Sequence, residues 1–296
     1  MEYIFVDYGR QLPNQTQLAF AVVSVLAYGG KNAHIHITTD APEAYLQFAE
    51  QVDVIPFSQE QLTEWMGPQH YTFRAKIMAI RYAVESLLKR GECGNFMYLD
   101  SDVFAYKDLS VLDDQLNQGV GIMHKDEGMP YETSGASRRL WPCIKGKTFQ
   151  GIVIREGCHM WNSGVIGMPR DCALEVCDLT LRLCDEMLVA VEGKRVFNVE
   201  QFCFSLALGR LCQAMAEADE YICHYWGNKE GWQQKITQFF TACWLKKLSV
   251  GEITDAFLAL NKTDIPYYYR DPIWRRRLVK WVSALIPLKL FRFVGT

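Results

Sequence analysis

The chain of 296 residues is 49% hydrophobic and has a formal net charge of −3 at pH 7, a composition that fits one large globular domain or one domain with an extension. The small net charge gives no reason to expect a nucleic-acid partner. Neither a secretory leader nor a membrane-spanning helix is expected, because no apolar run has the required length. The ten cysteines include no Cys-x-x-Cys pair, so we expect buried thiols in a cytoplasmic protein.

Strand-like and helix-like segments alternate at the start of the chain. Apolar spacing predicts a strand over 3–8, a helix over about 15–28, a strand over 34–39 with solvated histidines, a helix near 42–50 and a strand over 52–56. This order predicts a parallel sheet, whose ligands bind at the carboxyl ends of the strands. The side chains expected at that edge are Asp7, Tyr8, Asp40, Asp100 and Asp102.

A helix is predicted over 74–90, and it ends with Lys89-Arg90-Gly91. Arg74 and Lys76 lie in its first turn, where cations oppose the helix dipole. This arrangement favours a nearby anion such as a phosphate, and ordinary solvation of both side chains explains it equally well.

The segment Phe96–Leu99 predicts a strand buried on both faces, and it runs directly into Asp100-Ser101-Asp102. In an extended backbone residues i and i+2 point the same way, so both carboxylates would face one side. A divalent cation relieves the repulsion between two such acids. The alternative is a solvated turn, because an Asp-x-Asp pair arises often by chance.

The middle of the chain is predicted to contain a short helix over 105–118, a strand over 120–124 and a short strand over 152–154. Residues 125–150 are polar and turn-rich, which is typical of a mobile loop over a site. Asn162-Ser163-Gly164 forms a turn before an apolar strand, and an amphipathic helix follows over 170–192.

A further helix begins at Asn198, a good N-cap, with Gln201 placed to complete a variant of the capping box. Capping alone would explain Gln201, and Glu200 in the first turn favours the helix dipole whatever its function. His224 follows in a strand-to-loop passage, and such a histidine is more often structural than a metal ligand.

The order of these segments resembles that of the GT-A glycosyltransferases, and in particular the family-8-type enzymes of bacterial surface-glycan assembly that use nucleotide sugars. The resemblance covers residues 3–232 and rests on the end of the first strand and on segments 98–103, 161–165, 198–201 and 224–229. It implies an α/β GT-A fold, Rossmann-like, with a mostly parallel central sheet and flanking helices. The implied division is a transferase domain at 1–232 and a helical C-terminal extension at 233–296.

The resemblance also implies the composition of the site. A Mn²⁺ or Mg²⁺ ion would be bound by Asp100, Asp102 and His224. The implied donor-binding residues are Asp7, Tyr8, Arg74, Asp100, Ser101, Asn162 and Lys229. The residues implied near the anomeric carbon are Glu200 and Gln201.

The implied reaction is transfer of a hexose from a nucleotide-diphosphate sugar, with UDP as the family default, to a glycan or lipid-linked acceptor with retention of configuration. Two features depart from the family pattern: Glu200 replaces the usual aspartate, and the loop from His224 to Lys229 is one residue shorter. An inverting reaction would need a general base, for which Asp126 and Glu127 are candidates.

Residues 233–265 are expected to be helical. A further helix at 273–286 would place tryptophan and aliphatic side chains opposite a basic face. The stretch 273–293 therefore predicts either a surface that binds anionic membranes from the cytoplasmic side or a helix packed on the domain.

Two other functions remain open. The first is a nucleotidyltransferase, which would be expected to carry a glycine-rich loop after the first strand; residues 8–13 contain a single glycine and therefore disfavour it. The second is a non-catalytic sugar- or membrane-binding protein.

Overall fold

The computed structural model describes residues 1–91, 93–133, 135–192 and 198–260, together with Leu278 and Trp281. Within these residues the strands are β1 (Glu2–Asp7), β2 (His34–Thr39), β3 (Val52–Pro56), β4 (Phe96–Leu99), β5 (Val103–Ala105), β6 (Val120–Met123), β7 (Thr148–Phe149), β8 (Ile152–Val153), β9 (Val165–Met168), β10 (Ala214–Glu217) and β11 (Ile222–His224). The helices are α1 (Leu12–Tyr28), α2 (Gln59–Met66), α3 (Thr72–Arg90), α4 (Ser110–Asn117), α5 (Gly135–Ile144), α6 (Ala173–Ala190), α7 (Val199–Leu211), α8 (Lys229–Leu245) and α9 (Val250–Leu258).

Among the described residues, seven strands form a central sheet in the order β10-β6-β9-β4-β1-β2-β3. Strand β9 is antiparallel to β4 and β6, whereas the other neighbouring pairs are parallel. The predicted α/β class with a mostly parallel sheet and flanking helices is confirmed. The carboxyl ends of β1, β2, β4 and β6 lie at one edge of this sheet, and the antiparallel β9 begins at the same edge.

Central strands are buried on both faces of the sheet. In β1, Ile4 and Val6 belong to a core shared with α3, α6 and α7, whereas Tyr3 and Phe5 belong to a second core shared with α1. Phe96–Leu99 alternates between the same two cores, which explains its unbroken apolar sequence. Burying one such side chain contributes roughly 1.5–3 kcal/mol before the entropy of ordering it is counted.

Two local expectations are wrong, and one expected helix is present but is of a different type. The region expected to be a loop over 125–150 contains α5 and β7, and its Leu140 and Ile144 are fully buried. The helix expected near 42–50 is a 3-10 helix at Pro42–Phe48. His36 is buried, with Nε2 2.7 Å from a carboxylate oxygen of Glu2, although its alternating pattern predicted a solvated position.

The chain after the last strand packs against the domain. Helix α8 begins at Lys229 and continues past residue 232 without a break, and Trp232 is buried in the core that also holds α1. Phe257 of α9 packs edge-on against Phe20 of α1, with ring centroids 5.0 Å apart. The division into 1–232 and 233–296 stays a prediction.

The predicted helix at 273–286 and the stretch 273–293 lie outside the described residues, apart from Leu278 and Trp281, whose side chains are exposed. Within the described part of the chain, none of the helices combines the length and apolar character needed to cross a bilayer.

Candidate functional site

Side chains from distant parts of the sequence meet at the carboxyl edge of the sheet. Asp100 follows β4, Asp102 precedes β5, and His224 ends β11. Antiparallel pairing of β5 with β11 places His224 opposite Val103, and therefore beside Asp102. One ligand atom from each of Asp100, Asp102 and His224 lies within 4.8 Å of the others. The three residues expected to bind a metal are thus brought together.

The two acids reach this cluster through a turn. Strand β4 ends just before Asp100, and Ser101 and Asp102 form a turn before β5 begins. The Asp100 amide donates to the Gly164 carbonyl oxygen (2.9 Å), and the Tyr225 amide donates to the Asp102 carbonyl oxygen (3.1 Å). The extended i, i+2 geometry expected from the sequence is wrong, because the backbone turns at Ser101 and Asp102. Hydrogen bonds to distant segments hold the backbone on both sides of this turn.

The neighbours of His224 fix which ring nitrogen faces the acids. Its Nδ1 lies 2.8 Å from Oδ1 of Asn162. That amide has one consistent orientation, because its Oδ1 accepts from the Gly164 amide (3.0 Å) and its Nδ2 donates to Oε1 of Glu127 (3.0 Å). Nδ1 of His224 therefore donates to Asn162, and Nε2 lies 3.5 Å from Oδ1 of Asp102. In this orientation Nε2 is the ring nitrogen that faces the acids and could bind a cation.

Gly164 and His124 pack against the ring of His224. A Cβ atom at Gly164 would lie 2.3 Å from Nδ1 of His224, so a residue with a side chain would displace the ring. His124 packs edge-on against the same ring, with centroids 5.2 Å apart. Burial, followed by the charge of His224, lowers the pKa of His124 to about 3. His124 is therefore neutral and adds no positive charge beside the cluster.

Lys229 approaches the cluster from the start of α8. Its Nζ lies 2.9 Å from Oδ2 of Asp102. Burial alone would raise the pKa of the Asp102 carboxyl, but the charges and hydrogen bonds of His224 and Lys229 outweigh burial and hold that pKa well below its usual range. Half of the Lys229 side chain is exposed, so its ammonium can also meet a ligand. Contact with the donor phosphate stays a prediction.

Lys76 is buried among the acids of the site. Its Nζ lies 3.2 Å from Oδ1 of Asp100 and 3.0 Å from Oε1 of Glu200, and it donates to the Ser163 carbonyl oxygen at 3.1 Å. The Tyr98 hydroxyl also donates to Asp100. Burial lowers the pKa of Lys76, but Asp100 and Glu200 more than offset this effect and raise it above its usual value. Lys76 is therefore a permanent positive charge at this position.

The sequence suggested an anion near Lys76 but did not place it inside the site. Lys76 lies at helical spacing from Ala79, Ile80 and Ala83, all of which are buried on the same helix. Lysine is rarely buried without an acidic partner. The position of Lys76 on the apolar face of α3 is the sequence feature that indicates a buried lysine with acidic partners.

Glu127 connects two of the predicted site residues. It accepts from Nδ2 of Asn162 through one oxygen and from Nε2 of Gln201 (3.1 Å) through the other. The predicted cap of α7 is wrong, because Asn198 donates its side-chain amide to Ser137 Oγ (3.0 Å) and makes no side-chain cap. Gln201 is therefore engaged at the site and does not cap the helix.

The two acids expected as alternative bases point in different directions. Glu127 lies with Gln201, whereas Asp126 pairs with His159, whose Nδ1 is 2.6 Å from its carboxylate. Of the two candidates, Glu127 belongs to the same hydrogen-bonded set as Asn162 and Gln201.

The residues expected to bind the nucleotide base lie at the end of β1. Asp7 is buried and accepts a hydrogen bond from the Tyr45 hydroxyl (2.8 Å), and burial raises the pKa of the Asp7 carboxyl. The half-buried Tyr8 donates to the Thr72 carbonyl oxygen (3.2 Å), and burial raises the pKa of Tyr8 to about 12. Both side chains occupy the sheet edge, and their contact with a base stays a prediction.

Arg74 makes its described polar contacts inside the protein. Two of its nitrogens donate to the Asp185 carboxylate (2.6 and 3.1 Å) and a third donates to the Trp65 carbonyl oxygen (2.8 Å). Its observed role is to join α3 to α6 and α2. Ser101 is half-buried in the turn between the two acids, and its carbonyl oxygen accepts from the Tyr225 hydroxyl (3.4 Å).

Comparison with known proteins gave structural neighbours only. No family model matches the chain, and no curated protein matches it. A galactosyltransferase, LgtC, solved with donor and acceptor sugar analogues, is similar over 74% of both chains, with 14% identity and a TM-score of 0.49. An active-site mutant of LgtC (13% identity, 73% of this chain and 72% of that chain) and apo mouse xyloside xylosyltransferase 1 (13% identity, 73% and 85%) both give a TM-score of 0.46. This likeness is too distant to assign residue roles, which have to be inferred from the chain's own side chains.

Proposed function

We propose that this protein is a metal-dependent glycosyltransferase that moves a hexose from a nucleotide-diphosphate sugar, with UDP as the nucleotide, to a glycan or lipid-linked acceptor with retention of configuration. The observation that carries the proposal is the convergence of Asp100, Asp102 and His224 at the carboxyl edge of the sheet, where α/β proteins bind their ligands. The order of the sequence motifs along the chain indicates glycosyl transfer as the reaction class.

The donor atoms of this cluster fit a divalent cation. Asp102 is ionised and buried, His224 directs Nε2 toward it, and Asp100 adds a second carboxylate. Carboxylate oxygens suit Mg²⁺ and Mn²⁺, and the imidazole nitrogen favours Mn²⁺. When bound, the ion would stabilise the negative charge that develops on the departing diphosphate.

The protein's own residues would bind the remaining parts of the donor. Lys229, with half of its side chain exposed, would pair with a phosphate oxygen. Asp7 and Tyr8 would hold the base, and Tyr8 could stack on it. Asn162, Arg74 and Ser101 complete the proposed donor-binding set.

Gln201 and Glu200 have different proposed roles. Nε2 of Gln201 donates to Glu127, which leaves the side-chain oxygen Oε1 of Gln201 to face positive charge at the anomeric carbon. Glu200 is 3% exposed and accepts from both Ser163 (2.7 Å) and Lys76. We therefore assign Glu200 to positioning Lys76 and do not assign it as a nucleophile.

Thermal stability against a panel of nucleotides and nucleotide sugars, with and without Mn²⁺, tests the proposal. A ligand that binds only the folded protein, at 100 times its Kd, stabilises it by about 2.7 kcal/mol. We expect UDP and one UDP-hexose to raise the Tm only when Mn²⁺ is present. A preference for nucleoside triphosphates would favour a nucleotidyltransferase. No shift with any nucleotide, in protein that unfolds cooperatively, would contradict the proposal and favour a non-catalytic binding protein.

We further propose that residues 273–293 bind an anionic membrane surface from the cytoplasmic side. The proposal rests on the alternation of basic and aromatic residues in the sequence. The full chain should sediment with vesicles that contain phosphatidylglycerol, and a chain ending at residue 272 should not. Equal sedimentation of the two proteins, or none by the full chain, would contradict this role.

A further inference from the structure

A cavity of about 590 Å³ lies between the segment 151–161 and helix α7. Its chemically distinctive lining residues are Arg155, His159, Trp161, Ser205 and Arg210. None of them belongs to the predicted donor, metal or catalytic sets. The cavity is therefore a feature that the proposed function does not account for.

A two-stranded ribbon separates this cavity from the metal cluster. Asp126 and Trp161 form a β-bridge, and the residues that follow them, Glu127 and Asn162, bond to each other on the side of the site. Trp161 lines the cavity, and Asp126 pairs with the lining residue His159. Adjacent residues of an extended strand point to opposite faces, so the ribbon presents one face to the site and the other to the cavity.

The charged groups of the cavity are basic. Arg155 and Arg210 are both exposed, and neither guanidinium pairs with an acid within the described part of the chain. The lining includes no aspartate or glutamate among the described residues. Guanidinium groups bind phosphate and carboxylate through paired hydrogen bonds. Two arginines without acidic partners on one cavity favour an anionic ligand.

Trp161 gives the cavity a flat apolar surface, and the backbone of this residue is anchored by a hydrogen bond. Its backbone amide donates to Ser205 Oγ (2.9 Å), and the same hydroxyl donates to the Gln201 carbonyl oxygen (2.8 Å). The wall includes Gly151, Gly157 and Gly209, at each of which an added Cβ would meet nothing within 4 Å. An open cavity with a partly exposed indole suits a ring that has an apolar face and a polar rim.

We propose that this cavity binds an anionic sugar unit, a hexose bearing a phosphate or a carboxylate. Trp161 packs against the sugar ring, and Arg155 and Arg210 bind its acidic group. The binding does not depend on the transferase activity. Its assignment to a part of the acceptor distant from the reacting hydroxyl rests on the proposed function.

Isothermal titration of the full chain with four probes tests the site. We expect saturable binding of glucose 6-phosphate or of methyl glucuronide, and weaker or undetectable binding of glucose and of inorganic phosphate alone. The two anionic probes distinguish a phosphorylated ligand from a uronic acid. Inorganic phosphate that binds as tightly as the anionic sugars would overturn the sugar assignment, and failure of both anionic sugars to bind would overturn the site.

Variants localise the binding. Arg155→Gln, Arg210→Gln and Trp161→Ala should each weaken it by roughly tenfold, and Trp161→Phe should retain most of it. Arg170→Gln is the matched control, because Arg170 is exposed and follows the opposite end of β9, where it contacts the Gly91 carbonyl oxygen. Circular dichroism and Tm confirm that each variant is folded. Equal affinity of all variants and the control would contradict the proposal.

Sugar binding measured with the donor site occupied, and in a metal-site variant, distinguishes the cavity proposal from the transferase proposal. Sugar binding should persist in the presence of saturating UDP and Mn²⁺ and in Asp102→Asn. Competition by UDP and Mn²⁺ would place the ligand in the donor site and overturn the cavity assignment. Sugar binding that persists in a protein giving no nucleotide-dependent Tm shift would instead refute the transferase proposal and leave the cavity site intact.

Discussion

Replacing Asp102 with asparagine should reduce Mn²⁺-dependent turnover of the nucleotide sugar by about 100-fold or more. Asp102 is 4% exposed and lies between Nε2 of His224 (3.5 Å) and Nζ of Lys229 (2.9 Å). Asparagine keeps the shape and one carbonyl oxygen but removes the charge that a cation needs. Loss of a residue that only orients a metal ligand costs about 10–100-fold in affinity or activity, so loss of a direct ligand should cost at least as much.

The measurement is a Mn²⁺ titration followed both by turnover and by Tm in the presence of UDP. The variant should stay folded, because the Lys229 ammonium is half exposed and water can solvate it when its partner is lost. Asp114→Asn, at an exposed position of α4, is the matched control and should behave like the original protein. An unchanged Mn²⁺ response in Asp102→Asn would refute the metal assignment.

Replacing Lys76 with methionine should lower the free energy of unfolding by about 3–5 kcal/mol, the usual cost of leaving a buried charge without its partner. Lys76 is 5% exposed, and Glu200, one of its two carboxylate partners, is 3% exposed. Methionine has a similar length but no charge, so Glu200 and Asp100 would repel each other without compensation. This variant tests whether Lys76 stabilises the site's geometry from within the core.

Urea denaturation measures the free energy of unfolding of Lys76→Met and of the control variant Lys89→Met. Lys89 lies on the same helix, but its side chain is 73% exposed and pairs with Glu85, so its loss should cost about 0.5 kcal/mol or less. Adding Glu200→Gln to Lys76→Met should recover part of the stability, because it removes one of the uncompensated charges. If Lys76→Met costs no more than Lys89→Met, the buried charge network has little effect on stability.

The sequence predicted the layout of the fold well because most of that layout is written in local patterns. The strand at Phe96–Leu99 was predicted because all four residues are apolar, and that follows from their burial between two cores. The helices predicted over about 15–28, 74–90 and 170–192 were likewise indicated by the helical spacing of their apolar residues. The helix expected near 42–50 is present, but its 3-10 type at Pro42–Phe48 was not predicted, because a short helix of either type has a similar spacing of apolar residues.

Burial of polar residues was the least predictable feature. His36 alternates with apolar residues and so appeared solvated, but Glu2 of the adjacent strand and Asp53 of β3 lie against its two ring nitrogens. Gln201 had a capping position in the sequence, but its amide bonds to Glu127. In both cases the partner lies far away in the chain, and a local pattern contains no information about it.

The sequence by itself determined the α/β class, the parallel arrangement and the edge at which Asp100 and Asp102 would lie, because strand order and burial patterns are local properties. His224 was expected beside them only because the order of motifs resembles a known family. Only the tertiary structure decided the turn at Ser101, the ring orientation of His224 set by Asn162, and the place of Lys76 between two acids. Each of these depends on hydrogen bonds and charges between segments distant in sequence. Their strength comes from burial that exists only once the segments have packed together.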